Sequence, residues 1–155
     1  MTIKDWLEGL SYKLVQGSLD VEVNEVVYDS RKAAPGAVFV CMKGTKIDSH
    51  DFVGQVTDAG VKVLVTEHAV EAPADVTVVE TANGREALAL LSAARFGYPS
   101  RKLTMIGITG TKGKTTTTHM IKTILETAGK KTGMIGTNGV YIGEEHFPTV
   151  NTTPE

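Results

Sequence analysis

The sequence predicts an α/β fold in two parts. A small α/β domain spans residues 1–100, and the opening of a second α/β domain spans residues 101–155. Three observations carry this. Short runs rich in β-branched residues (Val26-Val27-Tyr28, Val38–Met42, Val61–Val65, Val76–Val79) alternate with stretches of helical spacing, as in a parallel sheet covered by helices. Phe96-Gly97-Tyr98-Pro99-Ser100 stops a helix and marks a joint near residue 100. Beyond the joint come a short apolar run, a Gly-rich turn and another helical stretch, which is the order strand, loop, helix.

The elements follow in order. Thr2 caps a first helix whose apolar stripe is Ile3, Trp6, Leu7 and Leu10. Val21, Val23 and Val26-Val27-Tyr28 read as strand, followed by Asp29-Ser30-Arg31 and the turn Ala34-Pro35-Gly36. A strand over Val38–Met42 leads to the polar loop 44–51. Phe52, Val53, Val56 and Ala59 then face inward on a helix that Gly60 ends. Strands at 61–65 and 76–79 precede Asn83-Gly84-Arg85-Glu86, an N-terminal capping box, after which Ala87, Leu88, Leu91 and Ala94 face inward.

In the second part, Leu103–Gly107 reads as a buried strand entering Ile108-Thr109-Gly110-Thr111-Lys112-Gly113-Lys114-Thr115-Thr116-Thr117-Thr118. Met120, Ile121, Ile124, Leu125 and Ala128 form the next helix face, with Gly129 as its stop. This is the build of a phosphate-binding loop. Gly110 and Gly113 let backbone N–H groups approach an anion, and the helix N-terminus adds unpaired donors and partial positive charge. Lys114 is placed for the outer phosphates of a nucleotide and the Thr115 hydroxyl for Mg²⁺. The common pattern has a further glycine five positions before the Gly-Lys pair, where this chain has Ile108, so this is a shorter Gly-Thr-x-Gly-Lys-Thr form. Lys131–Thr137 reads as a second parallel strand and 138–147 as a β-hairpin. Such a domain needs further parallel strands and a later carboxylate for Mg²⁺, so the second domain is expected to be incomplete.

Composition narrows the function classes. With a net charge of −2 and no Lys/Arg run, nothing points to nucleic acid. The single cysteine, Cys41, forbids an internal disulfide and lies in an apolar run, where it reads as a core residue. No signal peptide or membrane span is evident, so a cytoplasmic protein is expected. Lone His50 and His119 read as structural or solvent-facing.

Three stretches together resemble the Mur ligases, the ATP-dependent amide-forming enzymes of peptidoglycan synthesis. They are the loop Thr109–Thr117; Asp29-Ser30-Arg31 with Pro35-Gly36-Ala37-Val38-Phe39-Val40 and Lys43-Gly44; and Asn151-Thr152-Thr153-Pro154-Glu155. The loop is shared across the wider family, and the Asp-Ser-Arg segment also with the member that adds D-alanyl-D-alanine. The last stretch resembles the member that adds a diamino acid, lysine or diaminopimelate, to UDP-N-acetylmuramoyl-L-alanyl-D-glutamate. The resemblance implies a uridine-nucleotide domain over 1–100 and the start of an ATP-binding domain over 101–155. ATP and Mg²⁺ would be the cofactors. Gly110, Thr111, Lys112, Gly113, Lys114, Thr115 and Thr116 would hold ATP, with Lys114 catalytic and Thr115 on the metal. Ser30 would bind the uridine end, although by residue type alone it reads as a turn serine. Thr45 and Lys46 occupy the loop that touches uridine in relatives. Asn151, Thr152 and Thr153 would contact the muramoyl peptide. Family parts absent from the sequence include the later Mg²⁺ ligands, a carbamylated lysine and a C-terminal domain, so this piece alone is expected not to turn over. The competing readings are the D-alanyl-D-alanine-adding ligase and a non-catalytic ATP-binding module. Oligomeric state is not legible.

Overall fold

A computed structural model of the chain describes residues 1–45 and 47–149. It divides into two compact units, Met1–Leu103 and Thr104–Glu155.

The first unit is a five-stranded sheet between helices. Its strands are β1 (Lys13–Gln16), β2 (Glu25–Val27), β3 (Ala37–Val40), β4 (Val63–Thr66) and β5 (Thr77–Glu80). Their spatial order is β1-β5-β4-β3-β2. β2 through β5 run parallel, with Val26 opposite Val38, Phe39 opposite Leu64 and Val65 opposite Val79. β1 closes the other edge antiparallel to β5, with an irregular register between Leu14 and Gln16.

The apolar runs have a simple origin. Successive strand residues point to opposite faces, and here both faces are covered. Val38, Val40, Val63, Val65 and Val79 pack on one face with Ile3, Trp6, Leu7, Ala87, Leu91 and Ala94. These come from α1 (Ile3–Trp6), the turn after it, and α3 (Gly84–Arg95). Phe39, Cys41, Leu64 and Val78 pack on the other face with Val53 and Val56 of α2 (Val53–Asp58). A strand buried on both sides cannot alternate apolar with polar residues, so it reads as a continuous Val-rich run.

Local chemistry sets the helix starts. The Thr2 N–H and hydroxyl both donate to the Asp5 carboxylate, at 2.9 and 3.0 Å. Asn83 Oδ1 accepts from the N–H groups of Arg85 and Glu86, capping α3. Gly84 is the only residue type that fits there. A Cβ on it would lie 2.7 Å from the Cys41 carbonyl oxygen and 2.8 Å from Met42 Cγ, so α3 starts directly against the end of β3.

Several expectations change in this unit. Val21 and Val23 are not in the sheet. That segment pairs with the N-terminus instead, with Ile3 N–H on Val21 O and Val23 N–H on Met1 O. Lys13–Gln16, which carries no clear strand signal, forms β1, because an edge strand exposed to water needs no apolar run. Ala59, expected to face inward, is an exposed helix end.

The second unit holds α4 (Lys114–Thr127) and a three-stranded antiparallel meander of β6 (Gly133–Gly136), β7 (Gly139–Ile142) and β8 (Glu145–Phe147). The hairpin expected at 138–147 is β7–β8, with Val140 opposite Phe147. Two expectations are corrected. Leu103–Gly107 forms no strand, and β6 pairs antiparallel with β7 rather than parallel to a strand before the loop. A parallel strand needs neighbours on its hydrogen-bonding edges and cover on its faces. Among the described residues this segment has neither, and Leu103, Met105 and Ile106 are exposed. The α4 stripe is likewise half-covered: Ile121 and Leu125 are partly buried, while Met120 and Ile124 face out.

Candidate functional site

Each unit carries one candidate site. In the second unit it is the turn into α4. Gly113 is the residue before the helix and sits at φ +79°, and Gly110 is at φ +155°. Nothing lies near where a Gly113 side chain would be. Glycine is therefore required there by backbone conformation, not by space. This turn makes Lys114 the first helical residue. The N–H groups of the first helical turn have no intrahelical acceptor, and the helix dipole makes that end electropositive. Lys114 Nζ folds back to donate to the Gly110 carbonyl oxygen at 2.6 Å, so its ammonium stands over the same loop. Thr111, Lys112 and Thr116 are exposed, and Thr115 is half-buried. The group is a cluster of N–H donors and two lysines, Lys112 and Lys114, with no carboxylate among its own residues, which suits a polyphosphate with its Mg²⁺.

In the first unit the candidate site is the sheet edge where the four parallel strands end, which is where ligands of open α/β sheets tend to lie. After β2, Asp29 caps a single 3₁₀ turn, Ser30–Lys32. Its carboxylate accepts from Arg31 N–H at 3.0 Å, Arg31 Nε at 2.9 Å and an Arg31 guanidinium nitrogen at 2.6 Å. This fork holds the Asp29 carboxyl down at about 2, chiefly through the Arg31 side chain and then its backbone N–H. Ser30 sits half-buried in the braced turn. Its hydroxyl has no hydrogen-bond partner among the described residues, while its carbonyl accepts from Ala33 N–H.

After the neighbouring β3, the chain turns tightly at Lys43–Thr45 and Ile47–Asp48. Gly44 N–H donates to Ile47 O, and Lys43 pairs with Asp48 in an isolated backbone β-bridge. Thr45 is exposed. Lys46, Asn151, Thr152 and Thr153 lie outside the described residues. The base of the loop is held from two sides. Ser49 Oγ accepts from Met42 N–H at 2.6 Å and donates to Met42 O at 2.9 Å. Glu67, just past β4, accepts Lys43 N–H on Oε2 at 3.0 Å and Gly84 N–H on Oε1 at 2.8 Å.

Buried His50 completes the base. Its Nε2 accepts Glu67 N–H at 3.0 Å, so the proton sits on Nδ1 and is donated to Asp48 Oδ1 at 2.5 Å. That bond, with the His50 N–H, holds the Asp48 carboxyl below the usual range. His68 stacks on His50 with centroids 3.9 Å apart. Asp48, His50 and His68 bring ligand atoms within 4.8 Å of one another. Both nitrogens of His50 are already engaged, which makes it a structural imidazole. A cavity of about 350 Å³ at the same edge includes Glu67, Glu80 and Lys13 in its lining. Cys41 is buried, its thiol pushed up to about 12 by burial. His119 lies edge-on to Tyr141, and His146 stacks on that ring.

The roles of Glu67 and Ser49 in the edge are not visible in the sequence; His50 is structural, one of the two roles its isolation suggested. The available signals were Asp48-Ser49-His50, which can form a capped turn, and an acidic residue directly after an apolar strand.

Residues 22–96 match the family described as "Mur ligase family, catalytic domain", and residues 108–155 match the "Mur ligase middle domain". The chain belongs to the Mur ligase family. Among curated relatives it is 44% identical over 155 residues to the UDP-N-acetylmuramoyl-L-alanyl-D-glutamate–2,6-diaminopimelate ligase of Clostridium perfringens, covering all of this chain and 32% of that protein. The ligase of the same name from Syntrophomonas wolfei is 41% identical over the same coverage. The chain thus spans about a third of the length of these relatives. Among solved structures, MurF from Acinetobacter baumannii matches with a TM-score of 0.63 at 31% identity, over 81% of this chain and 27% of that one. MurF from Thermotoga maritima in complex with ADP matches with 0.52 at 25% identity, over 70% and 24%. No helix among the described residues is long and apolar enough to cross a membrane.

Proposed function

We propose that this chain is the front part of an ATP-dependent ligase that adds diaminopimelate to UDP-N-acetylmuramoyl-L-alanyl-D-glutamate in the cytoplasm. The observation that carries the reading is the match from first residue to last with ligases named for that reaction. The site geometry agrees with it. The first unit supplies the uridine end, with the Ser30 hydroxyl, unpartnered among the described residues, as a hydrogen-bonding group, and with Thr45 and Lys46 assigned to the same end. The second unit supplies the loop Gly110–Thr116 for the nucleotide phosphates, and a family structure that contains ADP supports this. Asn151, Thr152 and Thr153 are assigned to the muramoyl peptide.

ATP would supply the phosphoryl group that turns a substrate carboxylate into an acyl phosphate, leaving ADP; the incoming amine then attacks the acyl carbon and displaces phosphate to form the amide. The chain's own residues handle charge. Lys114 leaves the Gly110 carbonyl and neutralises phosphate oxygens, and the helix N–H groups hold those oxygens in place. The Thr115 hydroxyl would ligate Mg²⁺. No carboxylate from the loop opposes this.

The test is a substrate panel on the full-length ligase that carries this sequence. Phosphate release should require UDP-N-acetylmuramoyl-L-alanyl-D-glutamate together with diaminopimelate. Release only with the tripeptide substrate and D-alanyl-D-alanine would move the chain to the neighbouring ligase. ATP binding without release on any pair would make it a non-catalytic module.

A further inference from the structure

We propose that Glu67 and Ser49 are positioning residues for the nucleotide-sugar substrate. They act by fixing the backbone at Met42–Lys43 and Asp48–Ser49, on either side of the turn after β3, and do not touch the ligand. The inference rests on the reading that this edge receives the uridine nucleotide.

The loop has little else to hold it. Thr45 is exposed, and among the described residues the internal ties are the Gly44 N–H to Ile47 O bond and an isolated backbone β-bridge between Lys43 and Asp48. Its aim is therefore fixed at the base. One carboxylate does most of this. Glu67 Oε2 holds the entrance of the loop at Lys43 N–H, and Oε1 holds Gly84 N–H, the first residue of α3. Glu67 thus ties the exits of β3 and β4 to the start of a long helix packed on the sheet. Gly84 also sets the helix start directly against the β3 exit, since a Cβ there would lie 2.7 Å from the Cys41 carbonyl oxygen. On the other side, Ser49 Oγ makes two hydrogen bonds to Met42, closing the loop where the chain returns. His50 supports both by accepting Glu67 N–H and binding Asp48.

A carboxylate accepting two backbone N–H groups is a strong, geometrically fixed anchor. Glutamine has the same shape but only one accepting oxygen, so Glu67→Gln must release either Lys43 or Gly84. If the released group is Lys43, the loop tip moves relative to Ser30. Ligand binding then weakens while the chemistry, which belongs to the other unit, continues.

The experiment measures steady-state kinetics of the full-length ligase that carries this sequence, with UDP-N-acetylmuramoyl-L-alanyl-D-glutamate as the varied substrate. Wild type is compared with Glu67→Gln, Ser49→Ala and Asp75→Asn. Asp75 makes a surface ion pair with Lys62 in the same unit and controls for general loss of stability. The expected result is a KM for the uridine substrate raised about tenfold by Glu67→Gln and at least about threefold by Ser49→Ala. The kcat and the KM for ATP should stay within about twofold of wild type, and Asp75→Asn should change nothing. A purely structural role would lower active enzyme and kcat without moving this KM, and that outcome overturns the proposal. Unchanged KM in both variants also overturns it while leaving the uridine site itself standing. If Glu67→Gln does not fold, Ser49→Ala decides alone. A wild type that shows no saturation with the uridine substrate removes the underlying reading, and this inference with it.

Discussion

Replacing Ser30 with alanine isolates the ligand side of the first unit, because among the described residues the hydroxyl has no hydrogen-bond partner. The turn that carries it is held by Asp29 and Arg31 through four side-chain and backbone hydrogen bonds. Ser30 contributes only its carbonyl, to Ala33, and alanine keeps that. The variant should therefore fold as wild type, with a thermal midpoint unchanged within error. A neutral hydrogen bond contributes a net of about 0.5–1.5 kcal/mol. That converts to a loss of roughly two- to twelvefold in affinity, since about 1.4 kcal/mol is a factor of ten. On the proposed reading Ser30 serves the uridine end and not the reacting carboxylate, so ground and transition states should lose equally. The effect should then appear as a raised KM for UDP-N-acetylmuramoyl-L-alanyl-D-glutamate, with kcat and ATP affinity unchanged. Initial-rate phosphate release with each substrate varied in turn measures this. An unchanged KM would return Ser30 to a turn role. A lowered midpoint would show that the hydroxyl has a structural partner and refute the reasoning from the other side.

Lys114→Ala should lower turnover by about two to three orders of magnitude, as loss of one charge-stabilising donor does; a near-wild-type rate would remove the loop from the reaction. Trypsin should cut first at Arg101 or Lys102, where an exposed 3₁₀ turn lies next to the division between the units. Earlier cuts inside the strands, detected by mass spectrometry, would misplace the joint. The Asp29 carboxyl, followed by NMR, should titrate at about 2, and Arg31→Ala should raise that midpoint toward the usual carboxylate range. Its native value is depressed, so the stability it contributes is complete above about pH 4 and is lost as pH falls toward 2; a midpoint that ignores Arg31→Ala would contradict the fork.

The legible parts of this fold were those where local pattern and tertiary environment agree. β3, β4 and β5 lie between two helical layers, so their residues must be apolar on both faces, and the runs at 38–42, 61–65 and 76–79 followed directly. Asn83 and Gly60 announced helix limits through local chemistry alone. β1 was not legible, because Lys13–Gln16 is an edge strand facing water and needs only a neighbour. Leu103–Gly107 had the composition of a buried strand but lacks partners to pair with among the described residues, so composition misled. Gly113 and Lys114 were readable as a helix start, because a glycine at φ +79° directly before the first helical residue suits the turn into α4. Glu67 was not. Its role arises from Lys43 and Gly84, which are distant in sequence and meet only when β3, β4 and α3 assemble.

The most direct test of the central claim, that two nucleotide sites lie on different units of one chain, is amide NMR of the 155-residue chain titrated separately with UDP and with MgATP. The account predicts that UDP shifts the amides of Ser30 and the 43–48 loop, while MgATP shifts those of Gly110 through Thr116. Both nucleotides perturbing the same loop, or UDP leaving Ser30 and its neighbours unmoved, would contradict it.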